Sequence, residues 1–172
     1  GAAIPESFGG VGLGPLDMCV VAEEIGRAAC AVPFASSISA AAQAIEHAGS
    51  EAQKQFWLPQ LADGTCIATF AYAEGPGAPP LSSPMVTFED GRINGEKWPV
   101  ADVQLARMAV VLCQVAGVPA LAVVNLTATE TECTPLVSFD ALKPQGRLRF
   151  SDAPAELLAI GVDVVEKLFD TM

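Results

Sequence analysis

The sequence predicts an α+β protein: an N-terminal α-helical bundle segment, followed by an antiparallel β-barrel or sandwich domain, and a final helix. Three observations carry this. Up to about Gly64, apolar residues recur at spacings of three and four between capping residues; beyond it the spacing becomes strand-like and is broken by turn residues; after Gly161 the helical spacing resumes.

The first helix opens at Gly14-Pro15, which places proline at a first helical position, where its missing N–H is no loss. Met18, Val21, Ile25 and Ala28 then recur at helical spacing, Glu23 stands four before Arg27 as an acid-first pair, and Pro33 marks the end. A second, alanine-rich helix is expected from Ser36 and Ser37 to Gly49, a residue suited to the left-handed position after a helix. Ser50 with Gln53 reads as a capping box that opens a third helix, which Pro59 interrupts or restarts.

Cys66 to Tyr72 is rich in β-branched and aromatic residues, and Met85 to Phe88 pairs with Ile93 across Asp90-Gly91, a strong two-residue hairpin signal. Met108 to Val115, Ala120 to Leu126, Thr131 to Pro135 and Arg147 to Phe150 supply further strands. The prolines and glycines from Gly75 to Pro84 exclude regular structure and predict an exposed loop. Met108 to Thr129 carries no charge and is long enough to span a bilayer. Gln114, Asn125 and the Ala116-Gly117-Val118-Pro119 break divide it into two short runs, so it reads as a buried β-hairpin. In the last helix Val165, Leu168, Phe169 and Met172 share a face, with Asp163 four before Lys167. The chain ends while that helix is running, and the face is expected to find its packing partners elsewhere.

At 172 residues, 51% hydrophobic and 17% charged, the chain can bury a real core. A net charge of −11, from nine Lys and Arg against twenty Asp and Glu, argues against a nucleic-acid or anionic-membrane partner. The five cysteines form no close pair, which suits buried thiols in a reducing cytoplasm better than disulfides or a zinc site. Without Met or a basic leader at Gly1, the sequence reads as a piece of something longer.

Candidate chemistry is sparse. The cluster Gly9, Gly10, Gly12, Gly14 fails as a phosphate loop, because no strand precedes it and Pro15 stands where the third glycine of the motif falls; it reads as a tight turn. His47, the single histidine, reads as a polar residue at a helix C-terminus rather than a ligand or catalyst. Glu23 and Glu24 are adjacent on a helix, point in different directions and read as a solvated face.

What remains is an order of motifs. Ile4-Pro5-Glu6-Ser7-Phe8-Gly9-Gly10-Val11-Gly12-Leu13, then Glu23-Glu24-Ile25-Gly26-Arg27, then Gly49 to Pro59, then Asn94-Gly95-Glu96-Lys97-Trp98 resembles the acyl-CoA dehydrogenase family, through nearly the whole chain. The resemblance implies three parts: residues 1–63, a partial N-terminal helical domain; residues 64–152, the middle β-barrel domain; residues 153–172, the truncated start of a C-terminal helical domain. It implies FAD as cofactor, an acyl-CoA substrate, an electron-transfer flavoprotein as oxidant, and a dimer or tetramer of like or related subunits. The implied cofactor contacts are Phe70, Tyr72, Ala73, Trp98, Val100 and Ala101, with Glu74 and Ala78 toward the substrate; ordinary β-core packing is the other reading of Phe70, Tyr72, Trp98 and Val100. The family's catalytic base lies in its C-terminal domain, so the resemblance assigns no catalytic residue and no metal to this chain. Ala73 and Ala101 stand where the family pattern has threonine, and the family's Gly-Ser-Asp stretch is proline-rich here. Each lost hydroxyl removes a hydrogen bond of about 0.5–1.5 kcal/mol. A decayed flavin site in a non-catalytic subunit of a hetero-oligomeric dehydrogenase is therefore the alternative expectation.

Overall fold

A computed structural model of the chain describes residues 1–77 and 81–171. A short 3-10 turn at Glu6–Phe8 leads to α1 (Pro15–Arg27), a π-helical run Phe34–Ala42 that continues into α2 (Gln43–Ala48), and α3 (Glu51–Asp63). Seven strands follow: β1 (Ala68–Ala71), β2 (Thr87–Glu89), β3 (Arg92–Ala101), β4 (Met108–Val115), β5 (Val118–Asn125), β6 (Thr131–Leu136) and β7 (Gln145–Ile160); α4 (Val162–Thr171) comes last. The expected α+β order of helices, barrel and final helix holds. Among the described residues no helix is long and apolar enough to cross a membrane.

The barrel closes as a ring. β5 pairs β4 on one edge and β7 on the other; β7 pairs β3, β3 pairs β2, and β2 meets β4 at Thr87 and Gln114. β1 extends the β2 side of β4, and β6 extends the β5 side of β7. The pairings of β1 and β2 with β4 are parallel, so the sheet is mixed rather than wholly antiparallel. The uncharged Met108–Asn125 stretch is the β4–β5 hairpin. Its Ala116 and Gly117 both take positive φ (49° and 84°), the conformation a tight primed turn requires. Asp90 and Gly91 do the same between β2 and β3.

Both faces of the hairpin are covered, which explains its continuous apolar run. Met108, Val110, Leu112, Leu121 and Val123 face the helices and join Ile45, Leu58 and Leu61. The alternate residues Ala109, Val111, Cys113, Ala120, Ala122 and Val124 fill the barrel with Ile93, Val100, Leu148 and Phe150.

Several local expectations are corrected. α1 ends at Arg27, six residues before Pro33, because Ala29 turns the chain with φ 48°. Gly49 is extended (φ −75°) rather than left-handed; glycine is needed because a Cβ would lie 2.6 Å from the Ile45 carbonyl oxygen. α3 runs through Pro59 without a break, and its Ser50–Gln53 capping box is present. Asn94 and Gly95 lie inside β3 at a register shift. β7 reaches Ile160, well beyond Phe150. The apolar face of α4 packs within this chain: Val165 and Leu168 are buried in the helix-side core. Phe169 rests against Phe70 and Tyr72, with ring centroids 5.6 and 5.4 Å apart.

Candidate functional site

β1 runs past its last paired residue into a segment, Tyr72 to Gly75, that crosses β3. The Trp98 N–H donates to the Ala73 carbonyl (2.9 Å) and the Gly75 N–H to the Trp98 carbonyl (2.7 Å). This crossing brings Tyr72, Ala73 and Trp98 together, while Ala101 lies three residues further along β3. Tyr72 is 37% exposed, Ala73 and Trp98 are half-buried, and Ala101 is exposed. The guanidinium of Arg147 sits 4.8 Å above the Trp98 ring, a cation–π contact, and pairs with Glu96 at 2.9 Å. Among the described residues, the N–H groups of Ala73 and Glu74 meet no acceptor.

Two of the expected contacts are placed otherwise. Val100 is buried inside the barrel, and Phe70 is buried on the opposite side of the sheet, in the helix-side core. Their side chains offer no surface to a ligand outside the barrel, since strand alternation sends them into the two cores. Ala78 lies outside the described residues. Glu74 is not open to a substrate either. Its carboxylate is 4% exposed and pairs at 2.7 Å with the fully buried Lys97 Nζ. It also accepts from the backbone N–H groups of Met85 and Val86 at 2.9–3.1 Å. The Lys97 ammonium donates as well to the Tyr72 carbonyl at 3.3 Å. Burial pulls Lys97 below the ordinary lysine range, and its hydrogen bond to and attraction by Glu74 act against that. Nearby, burial pushes the Cys113 thiol up to about 12, with Lys97 acting the other way.

Lys97 carries no role in the sequence reading, yet strand parity marks it: Ile93, Gly95 and Lys97 share the face that points into the barrel. An inward lysine requires an acid, and Glu74 is the one provided. A second polar tie is invisible to local patterns. The Ser36 hydroxyl donates to the buried Asp102 carboxylate at 2.6 Å, the Ser37 hydroxyl accepts from the Ala68 N–H at 3.1 Å, and the Thr69 hydroxyl donates to the Ala101 carbonyl at 2.6 Å. Together they fasten the start of the π-helical run to the edge formed by β1 and the end of β3.

A cavity of about 660 Å³ lies elsewhere, between the N-terminal loop, α1 and the Phe34–Ala48 helix, with Leu13, Met18, Phe34, Glu6 and Glu46 on its walls. None of the expected cofactor residues lines it. His47 is exposed, with Nδ1 2.9 Å from the Gln43 carbonyl oxygen of its own helix. Among the described residues no group of acids, cysteines and histidine gathers as a metal site.

Residues 1–65 match the family model described as acyl-CoA dehydrogenase, N-terminal domain. Over 75 residues the chain is 43% identical to (2S)-methylsuccinyl-CoA dehydrogenase of Cereibacter sphaeroides, covering 43% of this chain and 14% of that protein. The ChsE4-ChsE5 complex of Mycobacterium tuberculosis superposes with a TM-score of 0.84 at 26% identity, covering 97% of this chain and 46% of that one. An acyl-CoA dehydrogenase complexed with FAD from Bacillus anthracis shares the fold, with a TM-score of 0.87 at 22% identity, over 99% of this chain and 32% of its own. The chain thus spans less than half the length of each of these proteins.

Proposed function

The chain belongs to the acyl-CoA dehydrogenase family, and from that premise we propose that it forms the helical and barrel portion of an FAD-dependent enzyme that desaturates an acyl-CoA thioester to the trans-2-enoyl-CoA. We divide it, as the family pattern does, at 63/64 and 152/153, with β7 continuing across the second boundary to Ile160. The observation that carries the reading is the exposed edge at the crossing of Tyr72–Gly75 and β3.

That edge fits a planar ring with polar atoms on its rim. Trp98 and the half-exposed Tyr72 ring, which lies against Phe70 and Phe169, supply aromatic surface, Ala73 and Ala101 are small residues that permit close approach, and the N–H groups of Ala73 and Glu74 meet no acceptor among the described residues. FAD bound there would accept the β-hydrogen of the acyl group as hydride. In this division of labour the chain's own residues bind, orient and exclude water; the family pattern assigns the proton acceptor to its C-terminal domain, while here Glu74 is bound to Lys97 and Glu23 and Glu24 pair with Arg27 on α1. An electron-transfer flavoprotein is the proposed oxidant, a dimer or tetramer of like or related subunits the proposed assembly, and the cytoplasm the proposed compartment.

A second reading has its own observation. Ala73 and Ala101 carry no hydroxyl at the two positions where the family pattern has one, and one similar structure is a complex of two named proteins. The chain would then be the non-catalytic member of such a pair. A visible spectrum of the purified full-length protein separates the two. A yellow protein that bleaches with an acyl-CoA supports the enzyme; a folded, colourless one that remains so with added FAD overturns it in favour of the partner. Reoxidation by oxygen rather than by an electron-transfer flavoprotein would make it an oxidase.

A further inference from the structure

We propose that Glu74 and Lys97 are positioning residues: together they tie Glu74 to Met85 and Val86 across the stretch between them and thereby hold Tyr72 to Gly75 in register for the cofactor, an inference that rests on the flavin reading above. Glu74 stands just before the proline- and glycine-rich stretch 75–84; Met85 and Val86 are the first residues after it. Both of their N–H groups donate to the Glu74 carboxylate, so one side chain spans the gap between the two ends. Lys97 reaches from β3 to the same carboxylate at 2.7 Å and to the Tyr72 carbonyl at 3.3 Å.

The surroundings are shaped to this knot. Gly95 has φ 129°, and a Cβ there would stand 2.9 Å from Val86 Cγ2, so only glycine lets Val86 lie against β3. The Gln114 side chain donates to the Pro84 carbonyl at 2.8 Å, and its backbone N–H to the Val86 carbonyl at 2.8 Å, which fixes the outgoing limb on β4. A buried ion pair is a poor source of stability, because well-packed apolar residues of similar volume serve as well. What apolar residues cannot supply is several donors converging on one carboxylate. The pair therefore fixes geometry, and the geometry it fixes is that of the backbone expected to meet the ring.

The test uses the full-length protein and the double variant Glu74→Leu with Lys97→Met, which removes both charges and leaves neither orphaned. Amide hydrogen exchange is followed at Met85 and Val86, with Val110 and Leu121 of the β4–β5 hairpin as internal reference, and FAD affinity is titrated alongside. The expected result is exchange at Met85 and Val86 faster by about ten-fold or more, with the reference amides nearly unchanged, and FAD affinity down by about ten-fold. Unaltered protection at Met85 and Val86, or equal acceleration at Val110 and Leu121, overturns the tie. Selective acceleration with unchanged FAD affinity overturns the positioning role. If the wild-type protein binds no FAD, it is the flavin reading that has failed, and exchange alone decides whether the tie holds.

Discussion

The β4–β5 hairpin and helix α1 are equally plain in the sequence, one by its two uncharged runs, the other by its spacing and its opening proline, yet they end in opposite environments. Along the hairpin nearly every residue from Met108 to Val124 outside the turn is buried. Along α1 none is: Leu16 is 83% and Val20 61% exposed, and Met18, Val21 and Ile25 reach only half-burial. Periodicity names the element, but burial is decided by what the rest of the chain places against it. The hairpin meets helices on one side and the barrel interior on the other, whereas α1 meets one wall of a cavity.

Two cysteines put the sharpest edge on this contrast. Cys113 sits inside the barrel with its pKa near 12, about a thousand-fold less thiolate at pH 8 than a thiol at its ordinary value of 9.0, while Cys19 lies exposed on α1. Because the thiolate is the nucleophile, alkylation of the native protein should mark Cys19 and spare Cys113 at every pH well below 12; equal labelling would show that the barrel opens readily. Next in size, Leu121→Ala should lower unfolding free energy by about 2–5 kcal/mol in denaturant titration, since it empties a fully enclosed site. A loss below about 1 kcal/mol would mean that the two-sided covering is loose. The turn works in the other direction. Ala116 holds φ 49° ahead of Gly117, and Ala116→Asn supplies the residue that tolerates this shape best, so stability should rise by roughly 1 kcal/mol. Smallest of all, Leu16→Ser on α1 should move the thermal midpoint by no more than about 0.5 kcal/mol equivalent. A larger effect would reveal that α1 is covered in the assembled protein.

The same contrast explains what was legible in the sequence. Local chemistry carried far: the Ser50–Gln53 cap, the Asp90-Gly91 and Ala116-Gly117 turns, and the return of helical spacing after Gly161 all act within a few residues, so the sequence displays them. Contacts between distant segments did not show. Nothing near Asp102 announces Ser36, and nothing near Phe70 says that Phe169 will cover it. The family motif points to Phe70, Tyr72, Ala73, Trp98, Val100 and Ala101, but the fold separates them: Val100 turns into the barrel, Phe70 into the helix-side core with the half-exposed Tyr72 ring against it at 5.7 Å, and Ala73, Trp98 and Ala101 stay along the edge. Glu74, expected toward the substrate, has its carboxylate held by a lysine whose inward orientation only strand parity reveals.

β7 joins β3, β5 and β6, from Arg92–Pro154 at one end to Leu136–Gln145 at another. During synthesis, β4 and β5 can zip as soon as both have emerged, but the ring has no means of closing until its longest strand leaves the ribosome. Until then the edges of β3 and β5 stand unpaired, which is the state in which a nascent β-protein is most open to its neighbours. Pairings of such long sequence separation are also the slow ones to form. The pace at which the last strand arrives therefore sets how long the newborn chain needs protection.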